Sequence, residues 1–338
     1  MFLTDVVVGL QHGDEGKGKV TYNLLQQETY SYSIRYNGGP NAGHTIKDKD
    51  NNLTIVLHQI PCGVLHNTIS FIGAGCVVDL EKLEDEIRYL EEKGYHNVRK
   101  LLFIAQNAHV IESQHITMDK YNDTIGTTKS GIGPCYSDKY QRTGKRVYDY
   151  EQKISKMKIS QIDLLTYFTT LPNSVKYKIL CEGAQGFSLD IDWGDYPYCT
   201  SSSCLSSGIT SAGIPIHSIR HVYGCCKMYD TYVGNKQFQP ENNTQLETLA
   251  NYGNEYGSTT GRKRQCNWLN TETLKKAIFI NSCTHVIVNK CDIIQDTKIY
   301  VMDNITFDSL KVMQKYLEDC IDPEKYLHII YSYNPYTI

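Results

Sequence analysis

The 338-residue chain lacks the features that mark several classes of protein. No stretch approaches the roughly 20 consecutive apolar residues of a membrane-spanning helix, and residues 1–9 lack the basic start and long apolar run of a signal peptide. The formal net charge of −3 gives no excess of basic residues of the kind that nucleic-acid binding needs. We therefore expect a cytoplasmic protein that binds neither a membrane nor a nucleic acid.

The twelve cysteines include no Cys-x-x-Cys pair, which is the usual spacing of zinc ribbons and thioredoxin-like redox sites. Disulfide scaffolds occur mostly in short secreted chains, whereas these cysteines are scattered along a long one. We expect them to be reduced and to act as small hydrophobic residues.

The chain also lacks internal repeats and low-complexity linkers, and its composition is ordinary for a globular protein, with 41% hydrophobic and 21% charged residues. A strand over residues 5–9, a glycine-rich turn over 11–19 and a helix over 20–27 form the opening typical of α/β nucleotide-binding folds. Hydrophobic patterns predict further strands and helices. The strands are expected at 34–37, 54–57, 70–72, 101–105, 177–181, 221–228, 285–289 and 327–331, the helices at 79–93 and 307–320.

These elements predict one α/β domain over residues 1–338, built around a mostly parallel central sheet with long loops at its active site. The polar segment 123–144 is expected to be one of these loops and to carry binding residues.

The glycine-rich turn has the G-x-x-x-x-G-K spacing of a P-loop from Gly13, but Val20 stands where a P-loop needs the hydroxyl that binds magnesium. Asp14 and Glu15 lie inside this turn. A carboxylate that faces a triphosphate must hold a metal ion or move a proton. A tight glycine turn between a strand and a helix would explain the same residues without any ligand.

A second segment, GGPNAGHT at 38–45, distinguishes these interpretations. Together with GDEGKGK at 13–19 it resembles the adenylosuccinate synthetase family. Other motifs of that family follow in order, and so many over about three hundred residues exclude chance similarity. They are LHQIP at 57–61, IGTT at 125–128, GIGP at 131–134, EGAQG at 182–186, LDID at 189–192, YPY at 196–198, TSS at 200–202, YGSTTGR at 256–262 and NKCD at 289–292. The region 147–176 is abbreviated, as in archaeal and viral relatives.

The resemblance implies a ligase that joins the amino group of L-aspartate to C6 of a 6-oxopurine nucleotide, IMP, at the expense of GTP and with Mg²⁺ as the cofactor. O6 is first phosphorylated and the phosphate is then displaced. By resemblance, Asp14 is the base that removes the N1 proton, and it ligates Mg²⁺ together with the carbonyl of Gly43. His44 is the general acid at the leaving β-phosphate oxygen, and Lys17 stabilises the transferred phosphoryl group.

The family motifs also imply three groups of binding residues. Those for the nucleotide monophosphate are Asn41, Thr128, Arg142, Gln185, Thr200 and Arg262. Those for aspartate are Thr259, Thr260, Gly261, Arg262 and Arg264. The guanidinium groups of the two arginines suit the two carboxylates of this substrate. Those for the triphosphate are Gly13, Glu15, Gly16, Lys17, Gly18, Lys19, Gly43, His44, Thr45, Lys290, Asp292 and Ser332.

Arg142 matches an arginine that reaches the 5′-phosphate bound by a partner subunit, which implies a two-fold homodimer as the active unit. The alternative is an ordinary surface arginine beside Lys139, Lys145 and Arg146.

The chain departs from the family pattern mainly in residues expected near the nucleotides. His12 replaces a tryptophan, Lys129 and Ser130 replace Gly-Arg, Ser203 replaces an asparagine, and residues 233–238 differ near the ribose.

Because of these departures, the sequence does not decide between IMP and dGMP as the acceptor. A viral relative would use dGMP to make the 2-amino deoxy product for diaminopurine DNA. It would act in the host cytoplasm, with ATP or dATP as a possible phosphate donor. A noncatalytic GTP-binding switch would also fit the N-K-x-D motif at 289–292. Val20, and the combination of Asp14 with His44, argue against the switch.

Overall fold

The computed structural model describes residues 1–48, 53–121, 124–257 and 261–338, and within these ranges its centre is a parallel sheet. The strands are β1 Phe2–Gly9, β2 Tyr32–Arg35, β3 His44–Asp48, β4 Leu53–Leu57, β5 Ile69–Ile72, β6 Val77–Val78, β7 Leu102–Ala105, β8 His109–Val110, β9 Ser160–Ile162, β10 Tyr177–Glu182, β11 Ile219–Lys227, β12 Tyr229–Tyr232, β13 Gln265–Trp268, β14 His285–Asn289, β15 Val301–Met302, β16 Ile305–Thr306 and β17 His328–Tyr331. The helices are α1 Lys17–Gln27, α2 Leu80–Glu92, α3 Val98–Leu101, α4 Ser113–Lys120, α5 Ile132–Gln141, α6 Glu151–Lys156, α7 Leu164–Thr170, α8 Thr244–Tyr252, α9 Thr271–Asn281, α10 Cys291–Thr297 and α11 Leu310–Ile321.

Nine strands pair in the order β17-β14-β11-β1-β10-β2-β5-β7-β9, and every pairing between them is parallel. The central strand β1 is fully buried at Val6, Val7 and Val8, as expected for a strand covered on both faces. Because the strands are parallel, their carboxyl ends meet at one edge, which is where ligands bind in folds of this type. The predicted α/β class with a mostly parallel central sheet is confirmed.

The predicted strands agree with the observed ones to within about three residues at their ends, and helix α2 lies within the predicted 79–93. Helix α1 begins at Lys17 rather than at residue 20, because Gly16 adopts a left-handed conformation with φ of 88° and starts the helix earlier.

The expectation of one long loop over residues 123–144 is wrong, since α5 occupies Ile132–Gln141. This helix is polar and buries only Ile132, Cys135 and Tyr136. Its sequence therefore carries little of the hydrophobic periodicity by which helices are recognised. Of the described helices, only α1, α2 and α11 were predicted.

The cysteines behave as the sequence indicates. All twelve are free thiols, and ten of them are buried. In the described ranges, no helix combines the length and the apolar character that crossing a membrane requires.

Helix α2 offers a test of the core. Leu83 is fully buried on its inner face, so Leu83→Ala should lower the free energy of unfolding by about 2–5 kcal/mol through lost burial and a cavity. The exposed neighbour Lys82 is the control. Lys82→Ala should change the free energy of unfolding by less than about 0.5 kcal/mol. Urea denaturation followed by circular dichroism measures both, and equal effects would show that α2 does not pack as described.

Candidate active site

A cavity of about 790 Å³ opens at the carboxyl edge of the central sheet. It is lined by residues that end or follow four central strands, namely His12 after β1, Gln185 after β10, Lys227 at the end of β11 and Asn289 at the end of β14. Its described lining contains seven lysine and arginine side chains and four carboxylates. A chain with a net charge of −3 thus concentrates positive charge in one place, as a site for a polyanion requires.

The glycine-rich loop is shaped from within by Glu15, which is fully buried. One oxygen of its carboxylate accepts the backbone N–H groups of Gln11 at 3.1 Å and Gly13 at 2.9 Å, and the other accepts Lys17 Nζ at 2.6 Å. The Glu15 side chain is therefore committed to the loop itself. The loop ends at the N-terminus of α1, where the helix dipole favours an anion.

His44 begins β3 and packs directly against the first turn of α1. A Cβ atom on Gly18 would lie 2.8 Å from the His44 Cβ atom, closer than two side chains can approach. Glycine at this position therefore allows the imidazole to lie beside the glycine-rich loop.

The His44 ring is buried between two charged groups. Its Nδ1 makes a short contact with Glu182 Oε1, and Arg35 Nη1 lies 3.2 Å from the same nitrogen and 3.3 Å from Glu182 Oε1. Burial and the Arg35 guanidinium lower the pKa of His44, whereas Glu182 opposes them. Burial alone would raise the pKa of Glu182, but His44 and Arg35 lower it and keep the carboxylate ionised.

Asp14 has a strained backbone, with φ of 59°, and lines the cavity. Such strain in a residue other than glycine is typical of functional sites. Its Oδ2 accepts Arg264 Nε at 2.7 Å, so the proposed base and a proposed aspartate-binding arginine already touch.

A third buried carboxylate, that of Glu255, lies among the cations near Asp14. It contacts Arg264 and lies 3.6 Å from the ammonium groups of both Lys227 and Lys290. Tyr229 donates its hydroxyl to the same carboxylate at 2.6 Å. Burial alone would raise the pKa of Glu255, but these cations lower it to about 2.

The expected nucleobase end of the cavity is formed by the segment after β14 and by the C-terminus. Asn289 Nδ2 donates to the carbonyl of Glu15 at 2.7 Å, so the first residue of the N-K-x-D motif holds the glycine-rich loop in place. Lys19 Nζ donates to Ser332 Oγ at 2.6 Å. Burial lowers the pKa of Lys19 to about 8.

Most of the residues that the sequence singled out lie around this one cavity. They are Gly13, Asp14, Glu15, Gly16, Lys17, Gly18, Lys19, Asn41, Gly43, His44, Thr45, Thr128, Gln185, Thr200, Arg262, Arg264, Lys290 and Asp292. Gly261 is not in its lining, and neither is Ser332, which is bonded to Lys19 and Asn334 of the lining. Thr259 and Thr260 lie outside the described residues.

Arg142 is exposed at the end of α5, with φ of 68°, and does not line the cavity. The structure thus keeps it out of the site of its own chain.

Sequence reasoning gave no role to Arg35, Glu182, Lys227 or Glu255. Arg35 and Glu182 end neighbouring strands, and a charged residue at the end of an apolar strand was the available signal. Lys227 ends β11 in the same way. Nothing in the sequence around Glu255 indicates that three cations would converge on it.

His12, which replaces the usual tryptophan, lines the cavity and contacts two carboxylates outside its lining. Its Nδ1 lies 2.8 Å from Asp230 Oδ2, and its Nε2 lies 3.0 Å from Asp195 Oδ2. Burial alone would lower the pKa of His12, but these two carboxylates raise it to about 9. The departure therefore introduces a charged, hydrogen-bonded group rather than an apolar one.

Comparison with known proteins agrees with this arrangement. The family model described as adenylosuccinate synthetase matches residues 6–169 and 149–323. The chain belongs to the adenylosuccinate synthetase family. Members of this family are ligases that form a C–N bond. The two matched segments overlap in the region that the sequence analysis describes as abbreviated.

Curated relatives with this name are similar over most of their length. The enzyme of Pelodictyon phaeoclathratiforme is 38% identical, and the match covers 93% of this chain and 80% of the relative. The enzyme of Helicobacter pylori is 36% identical, and the match covers 94% of this chain and 87% of the relative.

Two solved structures share the fold. The fully ligated adenylosuccinate synthetase of Plasmodium falciparum has a TM-score of 0.81 and 28% identity, covering 98% of this chain and 97% of its own. The succinoaminodeoxyadenylate synthetase of cyanophage S-2L, bound to dGMP and dATP, has a TM-score of 0.77 and 22% identity, covering 99% and 93%. The second likeness shows the fold alone.

The contact between Gly18 and His44 yields a prediction. In a helix, Gly→Ala normally stabilises by about 0.5–1 kcal/mol, but here the new methyl group must displace His44. Gly18→Ala should lower the rate of product formation by about 10²-fold, because catalytic groups tolerate little misplacement. Gln26→Ala, at an exposed site of the same helix, should leave the rate unchanged. Steady-state assays measure both, and an active Gly18→Ala variant would contradict the role of His44.

Proposed function

We propose that the protein joins L-aspartate to C6 of IMP, driven by GTP, through a 6-phosphoryl intermediate, to give adenylosuccinate, GDP and phosphate. The observation that carries this proposal is one positively charged cavity that holds a phosphate-type glycine loop, Asp14 and His44 together, in a chain of this family. A noncatalytic nucleotide-binding switch would need the glycine-rich loop but not the combination of Asp14 with His44.

Asp14 is the proposed base. It lies in the glycine-rich turn and contacts Arg264, and from there it can accept the N1 proton of the purine and so make O6 nucleophilic. Arg264 Nε donates to the Asp14 carboxylate at 2.7 Å and so holds it at the cavity. In this proposal Arg264 moves from Asp14 to the substrate when aspartate binds.

His44 and Lys17 line the same cavity as Asp14 and are proposed to act on the transferred phosphoryl group. Its charge is spread over several oxygens, so fixed N–H donors and cations supply most of the stabilisation. The α1 N-terminus, Lys17 and His44 provide these donors in this chain.

The donor set suits Mg²⁺, which prefers oxygen ligands and is often held by one or two carboxylates plus substrate phosphates. Among the described residues no cluster of three or more histidine, cysteine or acidic side chains could hold a metal by itself. Asp14 and the carbonyl of Gly43 would hold the ion, which when bound supplies charge compensation to the phosphates.

Aspartate is proposed to bind where Arg262 and Arg264 meet the segment that includes Gly261. Arg262 donates to the carbonyl of Gly126 at 3.0 Å, which ties this wall to the IGTT motif expected to bind the nucleotide monophosphate. The two substrates are thereby brought against each other, as an amine attack on C6 requires.

The remaining nucleotide contacts are assigned by the same motifs. Asn41, Thr128, Gln185 and Thr200 are proposed to hold the acceptor, and Lys290 and Asp292 the nucleobase of the donor. Two arguments favour IMP over dGMP: the curated relatives at 36–38% identity are adenylosuccinate synthetases, and Asp14 is retained.

One assay tests the reaction and its base. Purified protein, Mg²⁺ and aspartate are incubated with IMP or dGMP, crossed with GTP, ATP and dATP, and products are followed by mass spectrometry. We expect adenylosuccinate from IMP with GTP. Asp14→Ala should abolish it, since a general base alone contributes about 10²–10⁴ in rate and a metal ligand is lost as well. If only dGMP yields a product, dGMP rather than IMP is the acceptor. If Asp14→Ala turns over within a few-fold of the wild-type rate, Asp14 is not the base.

A second prediction concerns the proposed homodimer. If Arg142 binds the acceptor phosphate of the partner's site, Arg142→Leu should raise the acceptor KM strongly and affect kcat less. Mixing Arg142→Leu subunits with Asp14→Ala subunits should then restore activity, because each heterodimer contains one site with both groups intact. About half the wild-type activity per heterodimer is expected if the two sites are independent. No recovery despite demonstrated subunit exchange would show that Arg142 does not act across the interface.

A further inference from the structure

Two buried charges meet behind His44. Glu182 is the last residue of β10, Arg35 is the last residue of β2, and the two are paired in register on adjacent strands. Both side chains are almost completely shielded from solvent. Placing a carboxylate and a guanidinium in such an interior is unfavourable unless their contacts repay the lost hydration, so the arrangement calls for a reason beyond packing.

The contacts of Glu182 decide the state of one ring nitrogen of His44. A carboxylate ion can only accept a hydrogen bond, so Nδ1 of His44 must carry the hydrogen of its short contact with Glu182 Oε1. Arg35 Nη1 lies 3.3 Å from the same oxygen and 3.2 Å from Nδ1. Because a ring nitrogen that carries its hydrogen cannot accept another, Arg35 donates to the oxygen. With Nδ1 engaged, Nε2 is the nitrogen through which His44 can meet a ligand in the cavity that it lines.

We infer that Glu182, braced by Arg35, is a positioning residue that fixes the orientation and tautomer of His44, so that Nε2 faces the phosphoryl group. The inference rests on the function proposed above. It assigns to this chain the device by which buried carboxylates orient catalytic and metal-binding histidines in other enzymes. Glu182 itself touches no substrate.

The second oxygen of Glu182 distinguishes positioning from mere structural support. It accepts the backbone N–H of Cys62 at 3.0 Å, which fixes the direction of the carboxylate. In Glu182→Gln the amide oxygen can keep the Cys62 contact, and the amide NH₂ then faces His44 and Arg35. That substitution preserves shape but presents a donor to Nδ1, so the ring must give up its Nδ1 hydrogen or turn.

A double-mutant cycle measures whether Glu182 acts through His44. Glu182→Gln should lower kcat by about 10²-fold or more, as loss of an orienting carboxylate does elsewhere, with the KM for IMP and for aspartate within about threefold of wild type. In a His44→Asn background the same substitution should lower kcat by less than about threefold, because the group that it positions is gone. Additive losses would overturn the inference.

Asp5→Asn is the matched control. Asp5 is likewise a fully buried carboxylate paired with an arginine, Arg220, and it accepts the hydroxyl of Tyr30 at 2.7 Å, but none of the three lines the cavity. We expect Asp5→Asn to lower stability while leaving kcat near wild type. An equal loss of kcat in both variants would reduce the Glu182 effect to general destabilisation.

If Glu182→Gln does not fold, Glu182→Asp takes its place in the double-mutant cycle. This variant keeps the negative charge but withdraws it from His44 Nδ1.

A readout independent of turnover separates this inference from the proposed function. In ¹⁵N NMR spectra of histidine-labelled protein, with His44→Asn to assign the signal, wild-type His44 should carry its hydrogen on Nδ1, and Glu182→Gln should change that pattern. A wild-type protein that makes no product would refute the proposed function and still test the hold of Glu182 on the ring. Active wild-type protein with Nδ1 unprotonated, or with a pattern unchanged in Glu182→Gln, would refute the inference alone.

Discussion

The site depends on the neutralisation of buried cations by buried carboxylates. A cavity for a triphosphate, a monophosphate and a dicarboxylate must be rich in positive charge, yet burying a lone cation is unfavourable by several kcal/mol. Three fully buried glutamates answer this requirement: Glu15 pairs with Lys17, Glu182 with Arg35 and His44, and Glu255 with Arg264, Lys227 and Lys290. The cations are thereby held in place before any ligand arrives.

This arrangement couples the glycine-rich loop to the rest of the sheet edge. Asn289 holds the loop from β14, Lys17 is held from inside the loop, and His44 is held from β10 and β2. The ends of β1, β2, β10 and β14 thus hold the donors that are proposed to surround the transferred phosphoryl group. Preorganised donors stabilise developing charge without rearranging during the reaction, and for that reason they belong on rigid elements. By contrast, the Asp14 carboxylate is bonded to Arg264, which the substrate is proposed to recruit.

The departures from the family pattern lie outside this framework of buried glutamates and their partners. His12 exchanges an apolar ring for one that bridges Asp195 and Asp230, so the wall formed by these segments is held by charge. The residues proposed for phosphoryl transfer are those that the buried glutamates organise, and they are unchanged.

The sequence by itself determined the fold class, eight of the nine strands of the central sheet (all but β9) and most of the residues that line the cavity, because hydrophobic periodicity and ordered motifs are local properties. It missed α5, since that polar helix gains its stability from tertiary contacts rather than from an apolar stripe. Only the tertiary structure brought Glu182 and Arg35 behind His44 and gathered three cations around Glu255, because these pairs lie far apart in the chain and meet through strand order and register. It also placed Arg142 outside the cavity of its own chain, which no spacing along the sequence could decide.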